Sequence, residues 1–224
     1  AAVADMSAEL GRPPAPPEWA FEGACLGVLG GALAMERKLD AVLVAGATVS
    51  SMFARDWRDE ALYPDLHRTI AALRARGIRF IGCVDPFLRC GSELYEEASG
   101  FGYCVKDADG ADCLVSVASR GAEPGDATLV DLTNEDAFAW MKDVIARDLV
   151  GVGMSGWMAD SGEILPADAV LSSGAAAAEA HNLWPLSWAR LNREAVEESG
   201  RLGELLFFLR SGWLGSSRYA TAFW

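Results

Sequence analysis

The chain has 224 residues, of which 51% are apolar and 23% charged, a composition that supports a packed core in one large or two small domains and excludes global disorder. Its 19 Lys and Arg against 32 Asp and Glu give a net charge of −13, which repels phosphate backbones and argues against a nucleic-acid partner. The longest uncharged runs are too short to span a bilayer, so no membrane partner is expected, and two histidines are too few for a multi-histidine metal site.

The cysteines point to a reducing compartment. There are five of them, an odd number, and no two have CxxC spacing, so we expect free thiols in a cytoplasmic protein. No basic and then apolar signal segment opens the chain. Because the chain begins at Ala1 and ends in an apolar stretch at Trp224, we expect it to be a piece of a longer protein.

The first half of the chain alternates between strand and helix patterns after a lead-in segment. Residues 1–20 combine a short helical stretch up to Leu10 with a Pro-rich extended piece, and we assign them to the end of a preceding domain. Short apolar runs bounded by Gly or Pro indicate buried strands, and apolar residues at helical spacing indicate helices. In chain order we predict strand 24–29, helix 33–44, strand 48–54, helix 65–75 and strand 78–84.

The second half interrupts this alternation and then resumes it. Residues 90–128 hold short alternating pieces separated by turn residues, which predict a β-rich excursion outside the main layers. The alternation then returns, with Thr133 or Asn134 as the cap of the next helix. The elements predicted there are strand 128–132, helix 135–148, strand 152–158, helix 183–199 and strand 204–209.

Repeated strand–helix units imply an α/β fold with parallel strands covered by helices. A doubly wound nucleotide-binding domain should carry GxGxxG after its first strand, whereas this chain has GVLGG at 27–31 and no phosphate loop. Polar side chains instead follow the strand ends, at the edge that carries the chemistry in barrels. These are Arg55, Asp56, Asp85, Asp160 and Arg210. We therefore predict an incomplete (β/α)8 TIM barrel in residues 21–224, with about five strand–helix units.

The densest candidate site is the run GWMADSGE at 156–163. An apolar strand ends at Asp160, Glu163 follows three residues later, and Gly162 allows a sharp turn between them. An ionised carboxylate can attack an anomeric carbon, and the ring of Trp157 can stack on a sugar, so the pattern suits carbohydrate chemistry. The alternative is a helix-capping Asp followed by a solvated Glu, and the spacing alone leaves both open.

Long segments spread over most of the chain match one known enzyme family. They are LGRPPAPPEWAFEGACLGVLGG, YPDL, GIRFIGCVDPFL, VDLTNEDAFAWMKDVI, GWMADSGEILPAD and HNLWPLSWARLNREAVEESGRLGELLFFLRSGWLGSS. These segments resemble the catalytic barrel of glycoside hydrolase family 31, in its sulfoquinovosidase-like branch. The similarity runs from about Leu10 to Trp224 in one unbroken order, so it is more specific than a single motif. It implies a retaining O-glycosyl hydrolase that acts on an α-glycoside and needs no metal or organic cofactor.

The resemblance also implies roles for individual residues. The Asp of the GWMAD segment is the family's nucleophile, which implies that role for Asp160. The Glu three residues later belongs to the family's active site, which implies Glu163, and the Arg of the FFxR segment contacts the sugar, which implies Arg210. The Asp after the second strand lies in the same pocket, which implies Asp56.

Two further residues of the matching segments are candidate substrate contacts, Trp157 and His181. For Trp157 the alternative is packing within the barrel wall. For His181 the alternative is a core group whose hydrogen bonds are satisfied within the protein.

Three departures separate this chain from the sulfoquinovosidase-like branch. The family's proton-donor Asp lies in a Gly-Asp motif just after the segment that matches 219–224, beyond the end of this sequence. Leu29 and Arg55 stand where the branch has Gln residues, and the loop that brings a sulfonate-reading Arg and Trp after the second strand is missing. Arg55 can replace these anion contacts or form an ion pair with a neighbouring carboxylate. Those neighbours are Asp56, Asp59 and Glu60.

Two functions are consistent with these features. The first is a retaining α-glycosidase, present as the part that bears the nucleophile, inactive as residues 1–224 alone and weakened in sulfonate recognition. The second is a non-catalytic or truncated relative that only binds carbohydrate. Neither function predicts an oligomeric state.

Overall fold

A computed structural model describes residues 2–117 and 125–224 of the chain. The elements of the first half are α1 (Ala2–Leu10), β1 (Ala24–Gly27), α2 (Gly31–Val44), β2 (Val49–Phe53), α3 (Leu66–Ala75) and β3 (Arg79–Val84). Those of the second half are β4 (Phe87–Arg89), α4 (Glu93–Phe101), β5 (Leu114–Val117), β6 (Gly125–Leu129), α5 (Glu135–Ile145), β7 (Gly156–Ala159), α6 (Ala177–Ala180), α7 (Trp184–Glu198), β8 (Leu206–Leu209) and β9 (Ala222–Phe223). Single helical turns lie at Glu18–Phe21, Ala146–Val150, His181–Leu183 and Ser216–Arg218.

The main sheet is parallel and has the strand order β1-β2-β3-β7-β8-β9. Helices α2 and α3 follow β1 and β2, α5 precedes β7, and α7 joins β7 to β8. Parallel neighbours need such crossovers, and these bring the carboxyl ends of all the strands to one edge of the sheet. The partial (β/α) barrel predicted from the sequence is therefore confirmed.

The core lies between the central strands and the helices that cover them. Every residue of β3 from Phe80 onward is buried, as is every residue of β7. Helices α5 and α7 pack against each other, and Lys142 joins them through ion pairs with Glu194 at 3.2 Å and Glu198 at 2.5 Å. Asn134 is the cap of α5, since its side chain accepts from the backbone of the first turn.

The excursion differs from its prediction in two respects. It contains a helix, α4, which begins at Ser92, whose side chain caps the first turn by accepting from the N–H of Tyr95. Strand β6 pairs antiparallel with β4 and β5, so the assignment of 128–132 to the main alternation is wrong. Strand composition does not specify a partner, and here the partners are two short strands of the segment after β3. Residues 118–124 of the excursion lie outside the described residues.

The lead-in segment packs against the opposite end of the chain. The hydroxyl of Ser217 donates to the carbonyl of Leu10 at 3.1 Å, and the indole of Trp19 donates to the carbonyl of Glu204 at 3.0 Å. The guanidinium of Arg218 also contacts the carbonyl of Glu9. The assignment of 1–20 to a preceding domain remains a prediction.

None of the helices in the described part of the chain is long and apolar enough to cross a membrane. All five cysteines are free thiols. Cys83 is buried in β3, whereas Cys25 is exposed in β1, because β1 lies at the edge of the sheet.

Candidate active site

The register of the sheet places charged residues side by side at its carboxyl edge. Three adjacent strands β3, β7 and β8 end in one paired row formed by Val84, Ala159 and Leu209. The residues that follow this row are Asp85, Asp160 and Arg210. Arg55 follows β2 at the same edge, so four charged side chains of the sequence analysis come together.

Asp160 is fully buried, and both of its carboxylate oxygens are occupied. Oδ2 forms an ion pair with Nη2 of Arg55 at 2.6 Å, and Oδ1 lies 3.2 Å from Nε of Arg210. The backbone N–H of Ser161 donates to Oδ1 at 3.0 Å. Two guanidinium groups and a backbone N–H thus compensate a negative charge that burial alone would make costly.

The partner of Arg55 differs from the carboxylates expected from sequence proximity. Its guanidinium does not pair with Asp56, Asp59 or Glu60 but extends past β3 to Asp160. Asp59 instead stabilises its own turn, since its side chain accepts from the N–H of Ala61 at 2.9 Å. The long side chain of Arg reaches across a strand, which sequence distance does not reveal.

Glu163 contacts the nucleophile candidate only through Arg210. Nε of Arg210 donates to Oε1 of Glu163 at 2.7 Å, and Nη2 lies 2.6 Å from the same oxygen. Burial is the largest single effect and raises the pKa of Glu163, but the hydrogen bonds from Arg210, Ser211 and the backbone, with the charge of Arg210, together bring the pKa below its usual value. Glu163 is therefore an ionised group that fixes the orientation of Arg210 toward Asp160.

The turn after Asp160 depends on two residues. Ser161 has a φ of 57°, the only positive value outside glycine among the described residues, and this conformation directs its N–H toward Asp160. Gly162 is needed for space, because a Cβ there would lie 2.8 Å from Cδ1 of Trp188. The sharp turn predicted at Gly162 has its left-handed residue one position earlier, at Ser161.

Asp85 also belongs to the site, although no role is predicted for it from the sequence. Its carboxylate, that of Asp160 and Sγ of Cys83 each offer an atom within 4.8 Å of the others. Burial raises the pKa of Asp85 to about 6, the charge of Asp160 adds to this, and Arg55 and Arg210 oppose it. The position of Asp85 directly after a strand end is the signal that identifies it.

The same three atoms have a spacing that a metal ion could accept. The charges around them do not favour one, since Arg55 and Arg210 already neutralise Asp160. A further cation would compete with two fixed guanidinium groups for the same oxygens. We therefore assign no metal role to Cys83, Asp85 and Asp160.

Asp56 lines the pocket at this edge, but its carboxylate oxygens already accept hydrogen bonds from neighbouring residues. Its Oδ2 accepts from the N–H of Gly30 at 2.7 Å and of Gly31 at 3.3 Å, at the start of α2. The hydroxyl of Tyr63 donates to its Oδ1 at 3.3 Å. Asp56 thus anchors a helix N-terminus, where a carboxylate is favourable, and its contact with sugar remains a prediction.

A cavity of about 750 Å³ adjoins the charged edge, between the segment after β2 and the excursion. Leu29, Arg55 and Asp85 line it together with apolar side chains of the excursion and of α5. Leu29 is about half exposed and donates no hydrogen bond from its side chain. Its charged lining residues include Arg55, Asp56 and Asp85.

Trp157 and His181 do not face this cavity. Trp157 is fully buried, its Nε1–H donates to Oδ1 of Asn192 on α7 at 2.7 Å, and its ring stacks on Phe207. The strand directs the ring of Trp157 toward the helix layer, which favours the alternative of packing within the barrel wall, and its contact with substrate remains a prediction. Nδ1 of His181 lies 2.6 Å from the carbonyl of Leu165, where it ties the segment after β7 to the following helical turn.

Comparison with known proteins gives consistent matches. Residues 40–224 match the glycosyl hydrolases family 31 TIM-barrel domain. The chain is 39% identical over 236 residues to the sulfoquinovosidase of Escherichia coli (strain K12), covering 98% of the chain and 34% of that protein. It is 35% identical over 240 residues to the sulfoquinovosidase of Agrobacterium fabrum, covering 99% of the chain and 35% of that protein.

A solved structure also matches. A GH31 family sulfoquinovosidase from E. rectale, in complex with the aza-sugar inhibitor IFGSQ, superposes with a TM-score of 0.92 at 38% identity. The match covers 98% of this chain and 35% of that one. The chain therefore spans about a third of the length of the relatives that it matches.

Proposed function

The chain belongs to glycoside hydrolase family 31, and from this we propose that it is the nucleophile-bearing part of a retaining α-glycosidase. The observation that carries the proposal is Asp160, a carboxylate at the end of a buried barrel strand, compensated by two guanidinium groups. The substrate is a carbohydrate in α-glycosidic linkage. The five free thiols support a cytoplasmic location.

In the proposed mechanism Asp160 attacks the anomeric carbon and forms a glycosyl ester. A second carboxylic acid protonates the leaving oxygen, and the same group then removes a proton from the water that hydrolyses the ester. By resemblance, that acid follows the segment that matches 219–224. The protein's own groups carry out every step, without a metal or an organic cofactor.

Arg210 and Glu163 act as a unit in this proposal. Glu163 holds the guanidinium of Arg210 through two short contacts, at 2.6 and 2.7 Å, and Arg210 in turn lies 3.2 Å from Asp160. A fixed guanidinium at this place can orient the nucleophile and donate to a sugar hydroxyl. Glu163 is not the proton donor, since it is ionised and attached to the same strand end as Asp160.

Sulfonate recognition is proposed to be weakened. A compact, permanently charged group needs positioned donors when it is buried. Leu29 offers none, and the guanidinium of Arg55 is already engaged by Asp160 at 2.6 Å. A sugar without a sulfonate is thus the better fit to the cavity rim.

A non-catalytic, carbohydrate-binding relative is the second candidate. The observation that favours it is the complete burial of Asp160, with ion pairs on both oxygens. An attacking carboxylate must free one of them.

Asp160→Asn in the intact protein separates the two candidates. The variant keeps the shape and removes the attacking charge, so we expect turnover of nitrophenyl α-glycosides to fall by about three orders of magnitude or more with folding unchanged. Asp168→Asn, an exposed Asp in the segment after β7, is the matched control and should keep full activity. Near-normal turnover by Asp160→Asn would contradict the proposal, and sugar binding without turnover by the unmodified protein would favour the second candidate.

A further inference from the structure

The two guanidinium groups on Asp160 are not held equally. Arg210 has a second carboxylate partner, Glu163, at 2.6 Å. Arg55 forms its ion pair with Asp160 alone, among residues 2–117 and 125–224, and its side chain is 33% exposed. Of the two, Arg55 is the group that can leave when Asp160 needs a free oxygen for attack.

An acceptor for the departing guanidinium lies beside Asp160. The carboxylate of Asp85 comes within 4.8 Å of that of Asp160, and its Oδ1 is buried without a hydrogen-bond partner in the described part of the structure. Buried acceptors of this kind are rare in native proteins and call for an explanation. Arg55 and Asp85 also line the same cavity, so the side chain of Arg55 has open space on the side of Asp85.

We propose that Asp85 is a positioning residue that accepts the guanidinium of Arg55 when it leaves Oδ2 of Asp160, and so frees the nucleophile for the sugar. This inference rests on the proposed function. No bond between heavy atoms forms or breaks in the shift, since one ion pair replaces another. Without such an acceptor, the partly buried guanidinium of Arg55 would lose its only ion-pair partner among the described residues on leaving Asp160, which is costly.

The shift depends on the charge of Asp85. The charged or titratable groups around it are Asp160 after β7, Arg55 after β2, Arg210 after β8 and Cys83 on β3. Burial above all, and then Asp160, raise the pKa of Asp85 to about 6, against the opposing effect of Ser161 and the two arginines. Above pH 6 Asp85 is ionised and competes for Arg55, whereas below pH 6 it is neutral and Arg55 stays on Asp160.

Asp85 is close enough to Asp160 to raise another role, that of proton donor. Retaining enzymes hold two carboxyl groups about 5–5.5 Å apart with the reacting bond between them. Asp85 and Asp160 extend from adjacent, hydrogen-bonded strands at one edge, so both face a sugar from the same side. This places Asp85 with the nucleophile rather than with the leaving group.

The test is the rate at which fluorinated α-glycosyl fluorides of glucose and sulfoquinovose label Asp160 in the intact protein, between pH 4.5 and 8. Fluoride leaves without a proton donor, so the rate reports the nucleophile. The variants are Asp85→Asn, Asp85→Glu, Arg55→Gln and the double variant Asp85→Asn with Arg55→Gln. Glu60→Gln, which removes an exposed carboxylate near the site, is the matched control.

We expect the unmodified protein to label faster as the pH rises through about 6. Asp85→Asn should lose this step and label about tenfold more slowly at pH 7.5, whereas Asp85→Glu and Glu60→Gln keep the step. In the Arg55→Gln background the Asp85→Asn penalty should disappear, because the group to be accepted is gone. A purely structural role of Asp85 would give the same penalty in both backgrounds.

An unchanged pH step in folded Asp85→Asn, or an equal penalty with and without Arg55, would overturn the inference and leave Asp160 as nucleophile. If Asp85→Asn does not fold, loss of the pH step in Arg55→Gln supports the inference and its persistence overturns it. Labelling of a residue other than Asp160, or no labelling by either fluoride, would contradict the proposed function and the inference with it.

Discussion

At the scale of single residues, Asp85 and Asp160 carry the same side chain at neighbouring strand ends in different surroundings. Asp160 has an ion pair on each oxygen, whereas one buried oxygen of Asp85 has no partner among the described residues. Asp85 is therefore the carboxylate whose charge is less well compensated. Burial, and then the charge of Asp160, raise its pKa to about 6. A group that costs stability in this way is typical of functional sites.

The stability cost of Asp85 is measurable. Its pKa rises from 3.8 in the unfolded chain to about 6 in the folded one, so the folded protein binds more protons between these values and loses stability as the pH rises through them. Asp85→Asn removes this loss. Denaturant unfolding should show the variant more stable by ~1–3 kcal/mol above pH 6, and equal to the unmodified protein below pH 3.8. A variant that is less stable at pH 8 would contradict this account.

Specificity is a second prediction at the residue scale. The assay compares the rates at which the intact protein hydrolyses matched nitrophenyl α-glucoside and α-sulfoquinovoside. Because Asp160 engages Arg55, we expect Arg55→Ala to change the ratio of these two rates by less than about threefold, even if both rates change. Arg58→Ala is the control, since Arg58 lines the same cavity but pairs with Asp148 at 2.9 Å. A preference for the sulfonated substrate that collapses in Arg55→Ala would make Arg55 the sulfonate contact.

At the scale of elements, close pairing of β7 with β8 holds Asp160 and Arg210 together. Gly156 begins β7 opposite Leu206, and a Cβ at Gly156 would lie 2.2 Å from the carbonyl oxygen of Leu206. That oxygen belongs to the backbone of β8, which cannot move aside without breaking the hydrogen bonds between β7 and β8. The glycine of GWMAD is thus required by the sheet, and the chemistry depends on it indirectly.

A pair of glycine substitutions tests this packing. Gly156→Ala should lower the midpoint of thermal unfolding by several degrees, equivalent to about 2–4 kcal/mol, because the strands must separate. Gly100→Ala in α4 is the control, since nothing lies within 4 Å of its Cβ position, and it should stabilise by about 0.5–1 kcal/mol. Equal effects of the two substitutions would show that strand spacing at Gly156 is not limiting.

Helices and strands were predictable from the sequence to different extents. Amphipathic helices such as α3 and α7 appear within one or two residues of their predicted bounds, since spacing and caps are local signals. The partners of β6 are not local, which is why its sheet was predicted wrongly, and the two residues of β9 are too few to detect. The partners of Arg55 and the orientation of Trp157 likewise depend on contacts across strands.

At the scale of the whole molecule, the described residues form one arc of a barrel with its charged edge at the strand ends. Two carboxylates of the site have other positions: Glu163 is paired with Arg210, and Asp85 extends from the strand adjacent to that of Asp160. Both follow strands at the same edge of the sheet as Asp160. Completion of the catalytic pair is thus proposed to come from the rest of the protein.

Residues 1–224 expressed alone test that division of roles. We expect the purified chain to hydrolyse nitrophenyl α-glucoside at least about a thousandfold more slowly than the intact protein, because a positioned proton donor contributes a factor of this order. Circular dichroism serves as the control for folding. Robust turnover by residues 1–224 would refute the assignment and require Asp85 or Glu163 to act as the acid.

The central claim, that Asp160 is the nucleophile, is tested most directly by mass spectrometry of the intact protein after reaction with a fluorinated α-glycosyl fluoride. The probe traps the glycosyl ester on the attacking carboxylate, and digestion then locates the modified peptide. We expect one added sugar, on the peptide that contains Asp160 and on that residue. A stable label on Asp85, on Glu163 or on any other carboxylate would contradict it.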